Sequence, residues 1–367
     1  MILVDGHLDL AWNALQWNRN LLDSVLTIRA SESTQSGPGR GLGTVALPEM
    51  RQGRVALSFA TLLARATGRT SPHIDYATPA QAYAIAQGQL AYYRALERDG
   101  HVRVVTNAAE LSTHLAEWGA WESQAPSDEA GESANTPPLG LVILMEGADP
   151  IRDAGQLGEW HAAGLRLLGL THYGVGRYAG GTGSDAGLAE ACLPLLREMD
   201  RLGVMLDLSH CSDSAFWQAL AHYNGPVLAS HNNCRALVPH QRQLSDEQIR
   251  AIIRRGGVIG VVMDVWMLRP GWVVDKDDNL HRPQVALAEV TRHVDHICQI
   301  AGDAAHVAIG SDLDGGFGRE ASPCDLDTIA DLQNVAGMLE QRGFDAADIA
   351  AVMHGNWLGL LQRAWAG

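Results

Sequence analysis

The sequence predicts a single (β/α)8 barrel on three observations: eight short apolar runs, polar residues closing most of them, and helix-period stretches between them. A chain of 367 residues could hold two average domains, but α/β barrels absorb this length as one, so residues 1–367 are read as one domain. The runs begin with Ile2 to Asp9 (ILVDGHLD), Val55 to Leu63 (VALSFATLL) and Leu139 to Gly147 (LGLVILMEG). Leu165 to His172 (LRLLGLTH), Val204 to His210 (VMLDLSH) and Pro226 to Asn232 (PVLASHN) come next. Val258 to Asp264 (VIGVVMD) and His306 to Gly315 (HVAIGSDLDG) complete the set. Continuous apolar runs suit strands buried on both faces, as in a parallel sheet. Between them, Thr78 to Arg98 carries apolar residues at helical spacing behind a Thr-Pro start, and Ser245 to Arg255 opens SDEQ, with Ser245 or Asp246 as N-cap. A doubly wound open sheet is the alternative arrangement of the same alternation. Ala30 to Gly43 and Ser123 to Pro138 are rich in Ser, Gly and Pro; the first reads as a loop bordering the site, the second as a solvated insertion.

Composition narrows the function. Hydrophobic residues make up 46% and charged residues 19%, ordinary for a folded protein with a large core. With 27 Lys+Arg against 42 Asp+Glu the net charge is −15, which argues against nucleic acid or an anionic membrane as partner. No stretch approaches the roughly 18 apolar residues of a membrane span. MILVDGHLDL carries no basic leader segment, and LLQRAWAG lacks the spacer and tail of a lipid-anchor signal. The five cysteines (Cys192, Cys211, Cys234, Cys298, Cys324) are odd in number and show no CxxC spacing, so a reduced, cytoplasmic setting is expected. A homodimer is left open.

The strand ends carry the chemistry. His7 and Asp9 close the first run, Glu146 the third, His172 the fourth, His210 the fifth, His231 the sixth, and Asp312 and Asp314 the eighth. In a barrel the C-terminal strand ends surround one site, so these residues converge. Residues i and i+2 of a strand share a face, so His7 and Asp9 can hold one ion together. Imidazoles and carboxylates without paired thiolates suit a catalytic zinc or a similar divalent ion with open positions. Singly, each residue has a bland use: His210 or His231 capping a helix, Glu146 entering a turn. Such residues at the ends of separate runs are not expected from unrelated structural roles. Cys211 and Cys234 read as buried thiols. The glycines of Tyr173 to Gly183 lack a following Walker lysine and read as a flexible substrate loop. No GxSxG nucleophile elbow is present.

The motifs VDGHLDLAWN, LMEG, LTH, DLSH, ASHNNCRAL, IGSDLDG and the terminal HGNWLGL, in this order, resemble the membrane (renal) dipeptidase family of zinc-dependent dipeptidases. The resemblance implies two zinc ions per chain, His7, Asp9 and Glu146 holding one and Glu146 bridging to a second completed by His210 and His231. It further implies dipeptide hydrolysis by a metal-bridged hydroxide, with a D residue at the C-terminal position left open. By the same resemblance His172 donates to the oxyanion and Asp312 moves the proton, with Asp314 as alternative. Arg242, otherwise a surface arginine of a polar loop, becomes the clamp for the substrate carboxylate. Competing readings are an amidohydrolase acting on other amides, N-acyl amino acids or lactones, and a non-catalytic binding protein. The second fits poorly with a full ligand set.

Overall fold

The computed structural model describes residues 1–68, 73–124, 136–272 and 284–366, and every one of the eight predicted runs contains a strand. The strands are β1 (Leu3–Leu8), β2 (Val55–Leu63), β3 (Val102–Val104), β4 (Leu139–Glu146), β5 (Leu165–Gly169), β6 (Met205–Asp207), β7 (Val227–Leu228), β8 (Ile259–Val261) and β9 (Val307–Ile309). Parallel pairing runs β1-β2-β4-β5-β6-β7, and β8 pairs with β9. A bridge between Ala229 and Ile259 joins the two sheets. The far edge then returns to the start: the Asp312 N–H donates to the His7 carbonyl (3.2 Å) and the Ser311 N–H to the Asp5 carboxylate (2.9 Å). The sheet is therefore a closed barrel, not an open doubly wound sheet. Gly260 and Gly310 permit the closure, since a Cβ on either would collide with the Ser230 carbonyl oxygen.

Strand alternation decides which side chains face inward. Val142 and Leu144 of β4 belong to the inner cluster with Val4, Leu57 and Phe59, while Leu141, Ile143 and Met145 pack outward against helices. Trp357 of the HGNWLGL motif fills this interior: its indole donates to the Ile309 carbonyl (2.7 Å) and its ring meets Phe59 edge-on at 4.9 Å. Fully burying a large apolar side chain stabilises the fold by about 1.5–3 kcal/mol.

The predicted helix over 78–98 forms from Pro79 to Arg98, with the Thr78 hydroxyl accepting the Gln81 N–H (3.2 Å). Ser245 and Gln248 form a reciprocal capping box on the helix Asp246–Arg254. The structure departs from expectation in three places. β3, too short to stand out as an apolar run, pairs with the start of β4, and the helix Ala108–Gln124 follows it. The predicted insertion Ser123 to Pro138 thus begins inside a helix, and its residues 125–135 lie outside the described residues. The Tyr173–Gly183 segment, expected to be a loose loop, is folded on itself by backbone bonds such as Gly174 N–H to Thr182 O (2.8 Å) and Gly181 N–H to Gly174 O (2.7 Å).

Candidate metal centre

The inward row of β4, Val142 and Leu144, ends on Glu146, so the pleat itself aims this carboxylate into the barrel mouth. Three imidazoles converge on it. His7 Nε2 lies 3.5 Å from Glu146 Oε2, and His210 Nε2 and His231 Nε2 lie 3.3 and 3.5 Å from Oε1. A register shift of β1 between Asp5 and Leu8 sits where His7 is presented. His210 has φ 62, a left-handed backbone that costs a non-glycine residue about 1 kcal/mol or more and is found where surroundings or function hold it. Asp9 accepts a hydrogen bond from Thr61 Oγ1 on the neighbouring strand. His172 Nε2 stands 3.7 Å from Glu146 Oε1, and Asp312 Oδ1 stands 3.9 Å from His7 Nε2.

Among the described residues, donor atoms within 4.8 Å of one another form three groups: His7, Glu146 and His231; Glu146, His172 and His210; His7, Asp9 and Asp312. All seven residues predicted at this centre are thus assembled, with His7 and Glu146 each belonging to two groups.

Hydrogen bonds fix which nitrogens are free. Ser230 Oγ donates its one proton to Asp207 Oδ2 (2.6 Å), a carboxylate that can only accept. The same oxygen must then accept from His7 Nδ1 (3.1 Å) and His231 Nδ1 (2.8 Å). Arg242 Nη2 donates to His210 Nε2 (3.2 Å), which leaves His210 Nδ1 as the protonated nitrogen, facing Thr182 Oγ1 at 3.1 Å. All three rings therefore turn Nε2 toward Glu146; that of His210, shared with Arg242 Nη2, lies 2.9 Å from that of His231. Imidazole nitrogens converging on one another beside buried carboxylates suit a cation between them, so the donor set fits a divalent zinc-type centre.

The protein groups alone hold protons in its stead. Burial disfavours charge on His7, but Glu146, Asp312 and Asp9 outweigh it and raise the ring to about 10. Burial, with Glu146 adding, lifts Asp9 to about 7, and burial holds Asp312 well above the usual carboxylate range. Burial works against the Glu146 carboxylate too, yet His7 and His172 hold it well below its ordinary value. Burial lowers His172 to about 4, with Arg65 and Arg242 adding to the effect against Glu146.

Around this centre lies a cleft lined by Trp12, Leu63, Ile74, Tyr173, Arg242, Asp264, Met267 and Asp312 among others. Arg242 is buried; its Nη2 also donates to the His231 carbonyl (2.9 Å), and its Nη1 has no partner among the described residues. Asp314 faces elsewhere: both oxygens are taken by Arg19 Nη1 (3.0 Å), the Thr44 N–H and hydroxyl (2.7 Å each) and the Val45 N–H (3.1 Å).

Several site residues had no expected role. Arg65 Nη1 donates to His172 Nδ1 (3.0 Å), and Asp75 Oδ2 holds Arg65 Nη2 at 2.8 Å. A guanidinium can only donate, so Nδ1 is the acceptor and the His172 proton sits on Nε2, toward the centre. Asp207 and Ser230 are the other two. Both stand in the strand-end motifs DLSH and ASHNN, so the polar-strand-end rule could have found them. Nothing local marks Arg65, which lies 107 positions from its partner.

A closed parallel barrel with imidazoles and carboxylates gathered at its C-terminal strand ends defines a metal-dependent hydrolase. The chain belongs to the membrane dipeptidase family, peptidase family M19, whose model matches residues 1–365, and its function is that of a metallo-dipeptidase. It is 32% identical over 236 residues to an uncharacterized protein in the pqqA 5′ region of Klebsiella pneumoniae, covering 62% of this chain and 83% of that one. The alignment to dipeptidase tcpJ of Claviceps purpurea, 29% identical over 233 residues, covers 61% of this chain and spans about half (51%) of that protein. Among solved structures it is similar to dipeptidase AC, a metallopeptidase of family M19 (27% identity, TM-score 0.76, covering 100% of this chain and 99% of that one). A metallopeptidase from Rhodobacter sphaeroides liganded with a phosphinate mimic of the dipeptide L-Ala-D-Ala is similar at 25% identity and TM-score 0.74, with 100% and 99% covered. Among the described residues no helix is long and apolar enough to cross a membrane.

Proposed function

We propose that the protein is a cytoplasmic two-zinc dipeptidase that requires a free C-terminal carboxylate and accepts a D residue there. The observation that carries this reading is the set of imidazole Nε2 atoms converging on Glu146 beside the buried Arg242 Nη1, which has no partner among the described residues, in one cleft. The five free cysteines support a reducing compartment, and the likeness to a protein liganded with an L-Ala-D-Ala mimic supports the stereochemistry.

His7, Asp9 and Glu146 would hold one zinc, and Glu146, His210 and His231 the other. Two zinc ions there would supply acidified water and a Lewis acid for the scissile carbonyl. Arg242 Nη1 pairs with the substrate carboxylate and sets the depth of entry. His172 donates its Nε2–H to the carbonyl oxygen as charge develops there, and the Arg65 contact keeps that proton on Nε2. Asp312, open to the cleft, takes a proton from the attacking water and passes it to the leaving amine. Asp314, fully occupied by Arg19, Thr44 and Val45, positions the segment after β9 instead.

The test compares dipeptides with their C-terminal amides on zinc-loaded protein. The free acids turn over, and the amides react far more slowly. Arg242→Ala lowers kcat/KM on the acid by roughly 30-fold or more, the cost of leaving one member of a buried charge pair alone, with little change on the amide. Equal rates for acid and amide in the unaltered protein would remove the clamp and point to a broader amide or lactone hydrolase.

A further inference from the structure

We propose that Asp264 makes this cleft selective for dipeptides whose C-terminal residue carries a cationic side chain, an inference that rests on the dipeptidase reading above. Around the barrel mouth Arg242 follows β7, Asp264 follows β8 and Asp312 follows β9. A dipeptide with its carboxylate on Arg242 and its leaving amine beside Asp312 lays its C-terminal residue across the sector between them. Asp264 occupies that sector. All three side chains line the same cleft and act on the Tyr173 hydroxyl at its rim.

The fold employs only part of the Asp264 carboxyl: the Trp266 side chain and backbone N–H bond to it, which leaves one oxygen unused. It stands at the N-cap of the short helix Val265–Leu268. Its Oδ1 is buried and, among the described residues, has no hydrogen-bond partner; the same holds for Arg242 Nη1. A buried carboxylate oxygen without a partner is unfavourable until a counter-charge arrives. Burial raises this carboxyl to about 7. Met267 and Tyr173 border the same space and can cover the methylene stem of a lysine-like side chain while its ammonium meets Oδ1. Trp12, Leu63 and Ile74, which also line the cleft, are apolar and suit the side chain of the N-terminal residue. The cleft is therefore built for an apolar residue followed by a basic one.

The experiment measures kcat/KM for Ala-Lys and Ala-norleucine, which share the methylene stem and differ in the charge, on zinc-loaded protein and on Asp264→Asn. The unaltered protein should prefer Ala-Lys by roughly tenfold or more, a fair value for one partly buried charge pair. In Asp264→Asn the ratio should fall to near one, and in Asp264→Lys it should invert in favour of Ala-Glu over Ala-Lys. A ratio near one in the unaltered protein, or one that survives Asp264→Asn, overturns the proposal. So does an equal loss on both substrates, which would assign the carboxylate to the α-ammonium instead. Calorimetric binding of lysine against norleucine reads the same preference without turnover. If no dipeptide is cleaved, the dipeptidase reading fails by itself, while a lysine preference lost in Asp264→Asn would still uphold the cation site.

Discussion

Ser230→Ala tests whether one hydroxyl orients ligands of both proposed ions. Among the described residues Ser230 Oγ is the sole hydrogen-bond partner of His7 Nδ1, His231 Nδ1 and Asp207 Oδ2, all buried. Its removal orphans three groups at about 1–3 kcal/mol each, so stability should fall by about 3 kcal/mol even if relaxation keeps every cost at the low end. The effect on metal is separable. Losing the outer partner of a ligating histidine weakens binding roughly 10–100-fold, about 1.4–2.7 kcal/mol. In the two-zinc proposal His7 serves one ion and His231 the other, so both dissociation constants should rise, not one. Zinc competition against a chromophoric chelator resolves the two steps, and thermal denaturation reports stability independently. Asp207→Asn sharpens the test. The Asp207 Oδ1 position already accepts the Ser209 and Ser230 N–H groups (3.0 and 2.9 Å), which keeps the new carbonyl there and turns the amide N–H toward Ser230 Oγ. The serine proton must then move toward a histidine, driving one ring to the tautomer whose Nε2 is blocked. Zinc affinity should fall at least as far as in Ser230→Ala. Two unchanged zinc constants in Ser230→Ala, alongside a lowered Tm, would show that the contact is structural only.

Other outcomes follow from the same geometry. Asp312→Asn should retain both ions in elemental analysis and lower kcat roughly 10²–10⁴-fold, whereas loss of metal would make Asp312 a ligand. Arg65→Met frees His172 to take the other tautomer, so kcat should fall roughly tenfold with KM nearly constant, short of losing an oxyanion donor outright; Arg65→Lys, which still donates, should recover part of it. Ion binding must expel the proton of His7, raised to about 10, and below pH 7 that of Asp9, raised to about 7. Zinc affinity should therefore fall as pH drops through 7, and calorimetry in two buffers of different ionisation enthalpy should register net proton release. The folded-state value of Asp9 lies above its unfolded value of about 4, so its contribution to the ion-free protein is present below pH 4 and lost as pH rises toward 7. The Tm gap between zinc-loaded and ion-free protein should widen over that interval, and a narrowing gap would contradict the assignment.

What the chain made legible, and what it hid, divides along the range of the interactions. Strand period and residue type are local properties, and they sufficed to place His7, Asp9, Glu146, His172, His210, His231 and Asp312 at the mouth of one barrel. Partners are not local: Ser230 meets His7 across 223 positions, and Arg65 meets His172 across 107. No periodicity records such a meeting. Asp312 and Asp314 show the limit most sharply. Two residues apart in an extended strand they would share a face and compete for one role. Instead both leave the strand conformation, at φ 56 and φ 62, so alternation no longer applies. One carboxylate turns into the cleft and the other into the Arg19 network. The left-handed backbone that separates them has a cost, and the buried Arg19–Asp314–Thr44 bonds hold it in place. Arg19 is held in turn by Glu32, from the loop expected to border the site, through paired bonds of 2.9 and 3.0 Å. That loop reaches the chemistry by fixing which aspartate faces the substrate.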